Sequence, residues 1–152
     1  GDDTKIVVDN DRKNEKEYED EQKAIDDIEK ELSVDIPRFL YRPEGLEFKD
    51  YNISKDFEYA LLQYDYNDTI MTLYINKYDK ETKSTGASLD GKEIETIKLP
   101  EGEASIQVKR IMAKGDKKAS YVAYWNNSTE FYQIESQMEE KEFIKLIKNI
   151  KF

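Results

Sequence analysis

The sequence predicts an α+β protein in which a curved antiparallel sheet of about six or seven strands carries an N-terminal helix and a C-terminal helix. Apolar residues recur at helical spacing near both ends of the chain, and between those ends they alternate with polar residues. A chain of 152 residues is also long enough for one domain with a substantial core. We therefore expect a tether or short strand over residues 1–14 and a single α+β domain over residues 15–152.

The first helix is predicted from an apolar stripe that starts after residue 15. Glu and Lys cover its other side, and the stripe consists of Tyr18, Ile25, Ile28 and Leu32. Pro37 disfavours helical geometry at the residue before it, so this helix should end before the segment DIPRF. The preceding segment TKIVVD, residues 4–9, is compatible with a short strand or with the end of a linker.

The middle of the chain predicts strands joined by turns. The segments FEYALLQYDY and TIMTLYINKY form two runs that meet near Asn67, and in the second run Met71 and Leu73 point to one face. Before the first strand, the segment RPEG predicts a turn with Pro43 at its second position and Gly45 at its fourth. The loop over residues 80–93 is rich in Lys, Ser and Thr and should be exposed and mobile. Further strands are predicted at EIETIKL and ASIQVKRIMA.

The segment SYVAYWNNSTEFYQIES, residues 120–136, predicts a β-hairpin with polar residues at its turn. One face of its first strand should carry Tyr121, Ala123 and Trp125, and across the turn Tyr132 and Ile134 should share a face. Aromatic residues at strand spacing are ordinary sheet residues, so the aromatic cluster of this hairpin is interpreted first as architecture and second as a ligand platform. The cluster consists of Tyr121, Tyr124, Trp125, Phe131 and Tyr132.

The chain ends with signals for a second helix. Ser136 and Glu139 stand in the S-x-x-E spacing of a capping box, which satisfies free amide groups at a helix start. An apolar stripe follows, formed by Phe143, Ile144, Leu146, Ile147 and Ile150. This stripe should pack on the sheet.

Composition removes several classes of chemistry. Cysteine and histidine are both absent, which excludes disulfides, thiolate zinc sites and the catalytic triads that depend on either residue. We expect no cofactor and no metal, and the segment DNDRKNEKE fails as a calcium loop because Lys13 stands at a ligand position. The net charge is −10, and residues 1–35 hold 14 Asp and Glu against 6 Lys and Arg, so we expect no binding to nucleic acid.

The sequence also bears on location. No stretch reaches the roughly 20 apolar residues of a membrane-spanning helix, so no direct membrane insertion is expected of these residues. The chain starts at Gly1 without a methionine, from which we expect an export signal or anchor upstream. The abundance of Lys, Glu, Asn and Tyr without Cys is compatible with an exported bacterial protein.

The tyrosine content, 11 residues, supplies the best candidates for a binding surface. If tyrosines on two adjacent strands face away from the helices, they form an exposed aromatic patch suited to a protein, a peptide or a glycan. The candidate ligand-binding residues are Tyr59, Tyr64, Tyr66, Tyr74, Trp125 and Tyr132, and Tyr78 belongs to the same tyrosine group. No catalytic residue is predicted.

The order of these segments resembles a known bacterial family. The segments IPRFLYRPEGLEFKDYNI, LLQYDYNDTIMTLYI and VAYWNNSTEFYQIESQMEEKEFIKLIKNI are similar to the family named domain of unknown function 4367, over residues 36–152. Residues that match its pattern are Pro43, Gly45, Trp125, Tyr132, Glu142, Phe143, Ile144 and Ile147. The resemblance implies an exported or membrane-anchored protein of Gram-positive bacteria with a sheet and helix fold, and it transfers no catalytic residue.

From these observations we expect an extracytoplasmic, non-enzymatic binding or sensing module of a bacterial envelope protein, tethered through a segment upstream of Gly1. One alternative is a carrier that holds an apolar ligand in a cavity between sheet and helix. A weaker alternative is a hydrolase that uses two carboxylates, since 34 acidic residues offer many pairs.

Overall fold

The computed structural model describes residues 8–77, 91–99, 105–127 and 129–152, with side chains described from residue 16 onward. Helix α1 spans Val8–Leu32 and helix α2 spans Glu140–Lys148. The strands are β1 (Arg38–Phe39), β2 (Leu46–Ser54), β3 (Tyr59–Tyr66), β4 (Thr69–Lys77), β5 (Lys92–Lys98), β6 (Ser105–Ile111), β7 (Ser120–Asn126), β8 (Glu130–Ser136) and β9 (Ile150–Lys151).

Seven strands form one antiparallel sheet in the order β2-β3-β4-β8-β7-β6-β5. The short strands β1 and β9 pair separately, which ties the segment after α1 to the end of the chain. The predicted α+β architecture is confirmed, with an N-terminal helix, a seven-stranded antiparallel sheet and a short C-terminal helix packed on it. The predicted hairpin over 120–136 is formed by β7 and β8.

One face of the sheet, which we call the covered face, carries the main core. Because side chains alternate across a strand, the ladder partners Leu62, Leu73, Ile134 and Ala123 share this face, and all are 0% exposed. Both helices lie on it, with buried residues Ala24, Ile25, Ile28 and Leu32 of α1 and Phe143, Leu146 and Ile147 of α2.

Helix α1 differs from its prediction in two respects. It begins at Val8, so it includes part of the segment expected to be a tether, while residues 1–7 lie outside the described residues. Tyr18 is 57% exposed and lies against the guanidinium of Arg42, 5.3 Å away, instead of completing the apolar stripe. The helix ends at Leu32, as expected before Pro37, and Ser33 takes the left-handed conformation with φ 55°.

The capping box predicted for α2 does not form. Ser136 is the last residue of β8, and its hydroxyl accepts a hydrogen bond from the amide of Met138 at 3.2 Å. Glu139 occupies the N-cap without a side-chain cap bond, because its carboxylate accepts the hydroxyl proton of Tyr66 at 2.8 Å. Ile150 likewise belongs to β9 and not to the helix.

The turn before β2 has a different register from the predicted one. The amide of Leu46 donates to the carbonyl of Pro43 at 3.1 Å, so Pro43 is the first residue of the turn and Gly45 the third. Gly45 has φ +93°, which is the left-handed geometry that glycine adopts without strain. The predicted loop over 80–93 lies outside the described residues except for 91–93, of which Lys92 and Glu93 belong to β5.

Two buried tyrosines of the covered face should make the folded protein less stable at alkaline pH. Burial is the largest cause that raises the pKa of Tyr64 and of Tyr132, and their exposed fractions are 1% and 0%. The unfolded chain ionises its tyrosines near pH 10, while the folded chain keeps these two protonated. Stability is therefore fully present below about pH 10 and falls above it, by up to about 1.4 kcal/mol per pH unit for each buried tyrosine.

Urea unfolding at a series of pH values from about 8 to about 11.5 checks this expectation, with tyrosinate absorbance recorded in parallel. The last tyrosines should ionise only as the circular dichroism of the fold is lost. Complete tyrosine ionisation in a protein that still has its native circular dichroism would contradict the burial of these two hydroxyls.

Candidate functional site

The face of the sheet opposite the two helices, which we call the open face, is the candidate site. Ladder pairing sets which side chains lie side by side on it. One row across the sheet consists of Asn52, Leu61, Tyr74, Gln133, Tyr124 and Gln107. The next row consists of Ser54, Tyr59, Asn76, Phe131 and Asn126. We call these two rows together the neutral patch.

Aromatic rings run through the neutral patch in contact with one another. The ring centroids of Tyr59 and Tyr74 are 5.7 Å apart, and those of Tyr74 and Phe131 are 6.4 Å apart. Phe131 is only 4% exposed and does not belong to the main core cluster. It is therefore the buried base of this aromatic group, against which the half-buried Tyr74 packs. Tyr124 lies in the same row as Tyr74, and the Nζ of Lys109 is 5.5 Å from its ring.

The neutral patch contains no charged residue, although 38% of the chain is charged. Its polar members are mainly Asn and Gln, whose amides each offer a donor and an acceptor. Charge depletion combined with tyrosine is the compositional signature of the centre of a binding interface. The two rows therefore have the composition of a recognition surface.

Charged side chains border this patch in the adjoining row, where Glu135 of β8 pairs with Thr72 and Val122. Glu135 is exposed as a residue, yet desolvation by its surroundings raises the pKa of its carboxyl above the usual value. Lys109 stands beyond Val122 in the same row. Charges are thus placed at a rim and not at the centre of the patch.

The structure divides the six predicted ligand residues between the two faces. Tyr59 and Tyr74 are half-buried on the open face. The others are buried on the covered face, where Tyr64, Tyr66, Trp125 and Tyr132 are 1%, 7%, 4% and 0% exposed. These four are therefore core residues, as the first interpretation of the hairpin expects for Trp125 and Tyr132, and Tyr78 lies outside the described residues.

Each of the four core aromatics has a structural partner. Trp125 stacks on Tyr132 with centroids 4.9 Å apart and an interplanar angle of 10°. The hydroxyl of Tyr132 donates to the carbonyl of Asp35 at 2.7 Å, and the hydroxyl of Tyr64 donates to the carboxylate of Glu21 at 2.5 Å. These contacts fix α1 and the segment after it to the sheet.

Sequence reasoning included Tyr124 and Phe131 in the aromatic cluster of the hairpin, but it did not select them or the amide side chains as ligand-binding residues. The signal was present, because Tyr124 alternates with Trp125 and Phe131 alternates with Tyr132 along their strands. Once Trp125 and Tyr132 are assigned to the core, their neighbours must point to the opposite face.

Neither a metal centre nor a membrane span is found within the described part of the chain. No group of three or more acidic side chains there is arranged to hold a metal ion. Neither α1 nor α2 is long and apolar enough to cross a membrane.

Comparison with known proteins identifies the family. No curated protein and no solved structure matches the chain. One family, described as Domain of unknown function (DUF4367), matches residues 36–150, which is more than half of the chain and includes every strand of the sheet. This match agrees with the resemblance seen in the segments around Pro43, Trp125 and Phe143. The chain belongs to the DUF4367 family.

Proposed function

We propose that this protein is a non-enzymatic binding or sensing module of the bacterial cell envelope, placed outside the cytoplasm, and that its open face is the binding surface. The observation that carries the proposal is the neutral patch, an uncharged strip of contacting aromatic rings and amides in a highly charged chain. The extracytoplasmic location is proposed from the family resemblance.

The chemistry of the neutral patch favours an uncharged glycan as the ligand. Tyr74, Gln133, Tyr124 and Gln107 follow one another across four strands, so rings alternate with amides along one line. Tyrosine rings offer flat apolar surface to the faces of sugar rings, and amides pair with hydroxyl groups as donors and acceptors. An anionic polymer would be repelled by a protein with a net charge of −10.

The interior offers less support for the alternative, a carrier of an apolar ligand. The space between the sheet and the helices is occupied by side chains with no exposure, among them Ile28, Leu62, Leu73, Phe143 and Leu146. A carrier would instead need that space to be free for its cargo. We therefore place binding on the open face and not inside the fold.

The test is calorimetric titration with two neutral oligosaccharides, chitohexaose and cellohexaose. We expect wild-type protein to bind at least one of them, and the double variant Tyr59→Ala/Tyr74→Ala to bind it about tenfold more weakly or worse. Removing two interface tyrosines commonly costs more than 1.4 kcal/mol, which corresponds to that factor.

The matched control is Tyr18→Ala. It removes an exposed tyrosine from α1, the helix that lies on the opposite side of the sheet from the open face. Its affinity should equal that of the wild type. Equal affinity in the double variant would remove the open face as the site. No binding of either sugar by the wild type would contradict the glycan, and a protein ligand on the same patch would then be the reading to test.

A further inference from the structure

A second polar site lies at the end of the sheet, beside the C-terminal end of α1 and the β7–β8 turn. It is a groove of about 480 Å³, and its oxygen-bearing lining residues are Glu29, Ser33, Asp35, Asn127, Thr129 and Glu130. Glu130 alternates with Phe131 along β8, so this groove is separate from the neutral patch of the open face.

Glu130 is the unusual member of this groove because it is only 7% exposed. The nearest hydroxyl, that of Tyr132, is 3.5 Å from its carboxylate, but this hydroxyl gives its single proton to the carbonyl of Asp35 at 2.7 Å. Lys77 is its partner across the ladder, yet the Nζ of Lys77 reaches the carbonyl of Ser33 at 3.5 Å instead. The carboxylate is thus buried without a committed donor among the described residues.

Two other polar side chains of the groove already accept hydrogen bonds within the protein. Glu29 accepts from the guanidinium of Arg38 and from the amide of Ile36, each at 2.9 Å. The side-chain oxygen of Asn127 accepts from the amide of Glu130 at 2.6 Å. Asp35 is exposed at the rim. The carboxylates that remain for a ligand are the buried one of Glu130 and the exposed one of Asp35.

A buried carboxylate without a donor is costly, and each such group in a folded protein calls for an explanation. A bound metal ion is a poor explanation. The acidic groups here are not arranged as a group of three that could hold a metal, and a calcium ion takes six to eight oxygen ligands. A primary ammonium group fits better, since it is a compact charge with three donors that reach separate oxygen atoms.

We propose that this groove binds the primary ammonium group of a ligand, of the kind carried by a lysine side chain in a peptide, with Glu130 as its buried partner and Asp35 as its partner at the rim. The ammonium donates to the carboxylate of Glu130, with which Lys77 forms no ion pair among the described residues. This site does not depend on the glycan proposed for the open face.

The test is a titration of the whole protein with Nα-acetyl-lysine amide, followed by nuclear magnetic resonance shifts at residues of the groove. We expect saturable binding by the wild type, and at least tenfold weaker binding by Glu130→Gln, which keeps the shape of the side chain and removes its charge. Asp35→Asn should weaken binding to a smaller extent. The matched control is Glu135→Gln, the same substitution on β8 but on the open face, which should bind as the wild type does.

A second measurement separates a ligand site from a structural carboxylate. Without ligand, Glu130→Gln should melt at a higher temperature than the wild type, because it removes a buried charge that lacks a partner. Adding Nα-acetyl-lysine amide should raise the melting temperature of the wild type and leave that of Glu130→Gln unchanged.

Four results would overturn the proposal. They are equal affinity in Glu130→Gln, equal binding of the ligand acetylated at its ε-nitrogen, no wild-type binding at millimolar ligand, and a lower melting temperature of ligand-free Glu130→Gln. Calcium binding that is lost in Glu130→Gln, without binding of the lysine amide, would assign the groove to a metal ion and would also overturn it.

Discussion

Ile147→Asp is expected to abolish the cooperative unfolding transition of the domain. Ile147 is 0% exposed, and it lies on the apolar side of α2 with Phe143 and Leu146, which are equally buried. A carboxylate at this position would be removed from water without a partner, at a cost of several kcal/mol. That cost is comparable with the 5–15 kcal/mol that stabilises a typical domain.

Thermal unfolding followed by circular dichroism checks this expectation. The matched control is Ile70→Asp, the same substitution at a position that is 45% exposed at the start of β4, where the loss should be about 1 kcal/mol or less. A melting curve of Ile147→Asp close to that of the wild type would contradict the packing of α2 on the sheet.

The elements of this fold were predictable where one local pattern decides the structure. In β4, Met71, Leu73 and Ile75 are fully buried while Thr72 and Tyr74 face the other way, as alternation alone predicts. The apolar stripe of α2 is equally regular. Alternation continues through many strands, so the succession of helix, sheet and helix follows from residues that are close together in the sequence.

Features that depend on distant residues were not predictable. The sequence predicts Glu and Lys on the solvent side of α1, yet Glu21 is only 3% exposed. Its burial depends on Arg42 and Tyr64, which approach it only in the folded chain. The capping box failed for the same reason, because the carboxylate of Glu139 is bound by Tyr66 from another strand. A local motif competes with every tertiary partner its side chains can reach.

The candidate site was half predictable. Tyr59 and Tyr64 are five positions apart on β3, so alternation places them on opposite faces, and the burial of Leu62 assigns Tyr64 to the core. Grouping the tyrosines by strand and not by face combined two sets with different environments. The charge-free rows could not be found this way, because they require the register between β4, β8 and β7.

Arg42→Ala is the other substitution for which a large effect is expected, a loss of about 3–5 kcal/mol in the free energy of unfolding. The guanidinium of Arg42 is 2.8 Å from the carboxylate of Glu21, and its side chain is 20% exposed against 4% for Glu21. Without Arg42, the hydroxyl of Tyr64 is the one donor that the buried carboxylate keeps among the described side chains. Urea unfolding followed by the fluorescence of Trp125, the single tryptophan and 4% exposed, measures the loss.

The control for this prediction is Arg38→Ala, which breaks the ion pair with Glu29 at 2.9 Å in a setting where the side chains are 36% and 28% exposed. Water reaches both groups there, so the loss should be about 1 kcal/mol. Similar losses in the two variants would show that the burial of Glu21 does not control the docking of α1.

The double variant Glu21→Met/Arg42→Met distinguishes two contributions to the free energy of unfolding. One is the stabilisation by the ion pair, and the other is the cost of leaving the carboxylate of Glu21 buried without Arg42. Removing both charges leaves no buried ion at this position, and two methionines fill a similar volume, so the double variant should be more stable than Arg42→Ala. The hydroxyl of Tyr64 then loses its acceptor, which costs about 1 kcal/mol. Strong coupling in the double-mutant cycle is therefore expected, whereas additive losses would mean that Glu21 and Arg42 stabilise the docked helix independently.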